Sequence, residues 1–122
     1  MDKEQSRMTR IRQRFDDTHI EDIESAVYGK LARLDAAVRK DDRIAIAVGS
    51  RGVSNLRQVV KATVAWVRSR GGQPFISPAM GSPGGGTPQG QADVLASYGV
   101  TEEQVGAPVR SSLQVVELER KL

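Results

Sequence analysis

Residues 44–48 (IAIAV) form a continuous apolar run without a charge, closed by Gly49-Ser50-Arg51-Gly52. A run of that length ended by glycine predicts a strand buried on both faces of a parallel sheet. Upstream, Ile23, Val27, Leu31, Leu34 and Val38 fall on one broad stripe of a 3.6-residue period, behind Thr18 and Glu21 at capping-box spacing. They predict a helix that begins near Ile20 and stops between Arg39 and Asp42. Downstream, Leu56, Val59, Val60, Thr63, Val64 and Val67 recur at helical spacing behind Ser54 as N-cap, and Gly71-Gly72 ends the pattern. This is the clearest amphipathic helix in the chain. Trp66 lies on its flank and reads as a ring covering the core edge, whereas Arg57, Lys61 and Arg68 face solvent.

Pro74 to Ala79 (PFISPA) is the second expected strand, with prolines at positions suited to strand ends. The glycine-rich stretch 80–90 (MGSPGGGTPQG) follows, and Thr87 as cap with Pro88 in the first turn opens a helix through Ala92, Val94, Leu95 and Tyr98. Gly99 closes that helix, and Thr101 with Gln104 opens another short turn. Leu113 to Leu118 (LQVVEL) is the third expected strand. Alternating helices and strands imply right-handed βαβ crossovers and an α/β fold: a three-layer, Rossmann-like, open and mainly parallel sheet. Three strands are narrow for two helical layers, so the expectation is an incomplete domain. Residues 1–17 lack a period and read as a basic N-terminal arm, leaving 18–122 as a single α/β domain.

Composition changes this picture in four ways. Aromatic residues make up only 4% of the 122, so the core must come from Val, Ile, Leu and Ala. The absence of cysteine excludes disulfides, thiolate metal sites and thiol nucleophiles. No apolar run approaches the ~20 residues of a membrane span, and no signal-type segment opens the chain, so a cytoplasmic location is expected. The net charge of +3 is concentrated in part at Arg7, Arg10, Arg12 and Arg14. Phe15 is the only ring nearby and Asp16 and Asp17 follow it, which argues against a nucleic-acid surface.

In a parallel sheet both glycine turns emerge on the same edge, where ligands of open α/β sheets sit. Gly49, Gly52, Gly81, Gly84, Gly85 and Gly86 allow close backbone approach, and the helix starts near Ser54 and Thr87 favour anions. Arg51 can clamp a carboxylate or phosphate through two parallel hydrogen bonds. The implied ligand is a small anion, either a nucleotide phosphate or an organic acid. Neither turn is a dinucleotide fingerprint or a phosphate-binding P-loop, since GSRGVS lacks the third glycine and no lysine follows. Ser50 and Ser82 have no histidine base nearby in sequence. The lone His19 reads as a surface residue, and one histidine without cysteine makes no metal site.

Taken together, IAIAVGSRGVSNL, PFISPAMGSPGGGTPQGQADVLASYGVTEE and GAPVRSSLQVVEL resemble the N-terminal domain of the nickel-dependent lactate racemase family, closest to the branch with a GSRG turn. The resemblance runs from about Arg10 to Leu118 and matches the first part of much longer family members. It implies a domain that binds a 2-hydroxy acid or a nickel-pincer nucleotide, in a family of isomerases that abstract and return a hydride. By that resemblance Gly49, Ser50, Arg51 and Gly52 belong to the ligand-facing turn, with Arg51 on the substrate carboxylate or a nearby anion. Gly81 and Ser82 match the second turn, where the family continues with a catalytic histidine; here that position is Pro83. The family's cofactor-tethering lysine and nickel-ligating histidine fall beyond residue 122. The expectation is therefore that this chain alone retains no cofactor, racemises nothing, and shares its site with a C-terminal domain of the same protein. The alternatives are a non-catalytic module for an anionic metabolite or nucleotide, and an interaction fragment that self-associates through an open sheet edge.

Overall fold

The computed structural model describes residues 8–34 and 38–118. Strand β1 (Arg43–Val48) pairs in parallel with β2 (Gln73–Pro78), Arg43 opposite Gln73 and Val48 opposite Pro78. Helix α1 (Ile23–Arg33) precedes β1, and α2 (Leu56–Ser69) makes the crossover to β2. A short 3-10 turn (Pro83–Gly86), α3 (Pro88–Ser97) and α4 (Glu102–Val105) follow. The fold is a small α/β fold of helices on a two-stranded parallel sheet.

On the other side of β2 the chain pairs once more. The Ile76 N–H donates to the Pro108 carbonyl and the Arg110 N–H donates to the Ile76 carbonyl, both at 2.8 Å, forming a single parallel bridge at Val109. The strand expected at Leu113–Leu118 does not form. Val109 reaches the edge of β2 first, anchored by the fully buried Ala107, and Val115, Val116 and Leu118 are left exposed. Pro108 cannot donate to a ladder and contributes only its carbonyl.

β1 is not buried on both faces. Ile44, Ile46 and Val48 are half-buried or buried, whereas Arg43, Ala45 and Ala47 between them are exposed. The uncharged run misled because alanine is apolar yet too small to demand cover. On the covered face Val48, Val60, Val64, Ile76, Leu95, Val100, Val105 and Ala107 form one core. Ile76 and Leu95 are fully buried, each contributing about 2 kcal/mol through area removed from water. α2 and α3 both feed this core, and α1 packs on α2. The described helices thus stand on one face of the sheet, not on both.

Helix boundaries differ from expectation where a nearer cap wins. α1 starts at Ile23 because Asp22 caps it, accepting from the Ser25 N–H at 2.9 Å and the Ser25 hydroxyl at 2.7 Å. These bonds hold the Asp22 carboxyl below its ordinary pKa. Thr18 instead donates its N–H and hydroxyl to the Asp16 carboxylate, so it does not cap a helix. The helix stops at Arg33, short of Arg39; Val38 lies beyond it, against Gly72. α2 begins behind Asn55, which adopts a left-handed conformation (φ 59°) and replaces Ser54 at the cap position. At its far end Gly71 takes φ +83°, as a glycine stop requires. Trp66 is buried, under the Arg70 guanidinium at 5.1 Å from the ring centre. Of the arm, residues 8–17 carry no helix or strand and are exposed, while 1–7 lie outside the described residues. Among the described residues no helix is long and apolar enough to cross a membrane.

Candidate functional site

Because β1 and β2 run parallel in register, Val48 and Pro78 end side by side and both following turns leave on one edge. The Ala79 N–H donates to the Val48 carbonyl at 2.8 Å, so the pairing persists one step into the second turn. Between the turns lies a cleft of about 580 Å³, lined by Gly49, Ser50, Arg51, Val53, Leu56, Ala79, Met80, Gly81, Ser82 and Pro83. That volume lies within the range of small-molecule sites. Its floor is apolar, from Leu56 and Met80 at the core boundary, and its rim carries two hydroxyls and one guanidinium.

The structure therefore brings together Gly49, Ser50, Arg51, Gly81, Ser82 and Pro83. Gly52, Gly84, Gly85 and Thr87 do not line the cleft. Gly84, Gly85 and Gly86 all take left-handed conformations (φ +68°, +69° and +66°) and shape the second turn from behind. Thr87 is spent as the α3 cap, accepting from the Gly90 N–H at 3.0 Å while its hydroxyl donates to the Gly84 carbonyl at 3.1 Å. The end of α3 that looked available to an anion is thus partly satisfied by its own threonine.

Three residues that the sequence did not mark as part of the site hold the cleft in shape. Gln91, the one buried polar residue identified in the described core, donates from Nε2 to the Met80 carbonyl at 3.1 Å and the Gly81 carbonyl at 2.9 Å. The Tyr98 hydroxyl donates to the Ser50 carbonyl at 2.7 Å. One face of α3, carrying Gln91, Leu95 and Tyr98 at i, i+4 and i+7, therefore ties both turns to the same helix. The third residue is Gly90, where an added Cβ would lie 1.8 Å from the Gly84 carbonyl oxygen. A glutamine on an otherwise apolar helical stripe was the available signal for Gln91. Nothing local marked Gly90, whose neighbour is six residues away across a turn.

Chemically, Ser50, Ser82 and Arg51 give the rim two hydroxyls and the N–H fork of a guanidinium. Such a rim suits a carboxylate or phosphate. Pro83 at the cleft wall offers no proton to exchange and no N–H. The described residues hold no cluster of three or more His, Cys, Asp or Glu side chains. No family model, curated protein or solved structure matches the chain.

Proposed function

We propose that this chain is the anion-binding part of a lactate-racemase-like protein, presenting Arg51 and two glycine turns to a 2-hydroxy acid or a nucleotide phosphate. The observation that supports this reading is the convergence of both turns on one cleft with a single guanidinium at its mouth. In this reading the sheet belongs to a three-layer, Rossmann-like fold. Any residues that hold nickel come from another domain, because this cleft's own donors suit anions. With Pro83 at the family's histidine position, the chain's contribution is to bind and orient a carboxylate or phosphate.

Titration of the isotopically labelled protein with lactate and with nicotinic acid mononucleotide tests this. Saturable amide shifts are expected at Gly49–Gly52 and Met80–Ser82, with affinity falling roughly tenfold or more in Arg51→Ala. A folded protein with no saturable shift at either turn would overturn the proposal. Shifts unaffected by Arg51→Ala would remove the arginine from it.

A further inference from the structure

At the opposite end of the strands lies a second cavity, about 260 Å³, lined by Arg43, Arg68, Gly72, Gln73, Pro74, Phe75, Pro108 and Arg110. Three of its eight lining residues are arginines and none is acidic. The Arg43 and Arg110 guanidiniums both stand over the Phe75 ring, 5.7 and 5.6 Å from its centre. Arg43 opens β1, and Arg110 follows the Val109 bridge, so the two flank β2 from either side. Arg68, near the end of α2, donates to the Gly106 carbonyl, which fixes its position while leaving other N–H groups of its fork available. Asp42, the carboxylate next to Arg43 in sequence, is engaged elsewhere: it accepts from the Arg39 N–H at 2.9 Å.

Both guanidiniums are exposed, where the ring quadrupole attracts each only weakly. None of the residues lining the cavity supplies negative charge. A single carboxylate supplies one unit, whereas a phosphate monoester supplies nearly two and a terminal diphosphate more, each with several strong acceptor oxygens. Planar guanidinium forks bind such oxygens two at a time. The cavity has room for a phosphate group. We infer that Arg43, Arg68 and Arg110 form a second anion site, specific for a compact phosphate or diphosphate group and separate from the cleft at Arg51.

The test is an amide titration of the Arg51→Ala protein with pyrophosphate and, separately, with glycerol phosphate, at constant ionic strength. Saturable shifts are expected at Gly72, Gln73, Phe75 and Arg110. Tighter binding of pyrophosphate assigns a diphosphate, and tighter binding of glycerol phosphate a terminal monoester. The double variant Arg43→Gln, Arg110→Gln should weaken either ligand roughly tenfold or more. Arg43→Lys with Arg110→Lys, which keeps the charge and loses the forks, should lose less and also controls for folding. Shifts that stay linear, or that chloride reproduces at matched ionic strength, would overturn the site. So would unchanged binding in the folded glutamine variant.

Discussion

The two glycine turns at the cleft look alike in composition and differ in what their glycines do. In the second turn glycine is compulsory: three successive residues occupy left-handed backbone, and Gly84 and Gly90 approach so closely that a Cβ on either would overlap the other's backbone. In the first turn it is not. Gly49 and Gly52 are not among the positive-φ glycines; a Cβ on Gly49 would meet the Ala79 oxygen at an ordinary 3.8 Å, and one on Gly52 would meet nothing within 4 Å. The second turn is a sterically locked wall, held further by two hydrogen bonds from Gln91. The first is held by one bond from Tyr98 to Ser50 and presents the exposed Arg51. Glycine conserves shape on one side of the cleft and leaves room on the other. Room beside an arginine is what an anion needs.

The largest effect that could break this contrast is Gly90→Ala, which should destabilise the protein by roughly 3 kcal/mol, because backbone oxygen cannot rotate away from the new methyl. A urea midpoint equal to that of the parent would show the Gly84–Gly90 contact to be soft. Next comes the helix that ties both turns. Gln91→Leu leaves two carbonyls without their donor and should cost about 2 kcal/mol, whereas Tyr98→Phe frees one carbonyl on the looser side and should cost about 1 kcal/mol. Equal costs, read from the same unfolding curves, would erase the asymmetry between the turns. The smallest effect on stability belongs to Gly52→Ala, within about 0.5 kcal/mol of the parent, since its methyl points into open space. If that variant unfolds as readily as Gly90→Ala, the first turn is locked too.

Much of the framework was legible because it is local. β1 and β2 fell within a residue of where apolar runs and prolines placed them, and Thr87, Gly71, Gly99 and Thr101 mark the helix ends they were read to mark. Those signals are made within one turn of chain. The misses were decided by competition between neighbours: Asp16 took Thr18, Asp22 took the helix start, and Asn55 displaced Ser54. LQVVEL has the composition of a strand, but Val109 holds the edge of β2.

Apolar pattern and glycine punctuation by themselves determined that strand, turn and helix alternate and that two glycine turns follow two strands. Only the tertiary structure decided which residues meet. Register between β1 and β2 put Arg51 and Ser82 on one cleft, and the packing of α3 brought Gln91 and Tyr98 onto turns far from them in sequence. Folding likewise brought Arg43, Arg68 and Arg110 to one cavity from three separate segments. Local signals act over a few residues through backbone sterics and hydrogen bonds. A binding site depends on long-range approach, which is set by how the core closes.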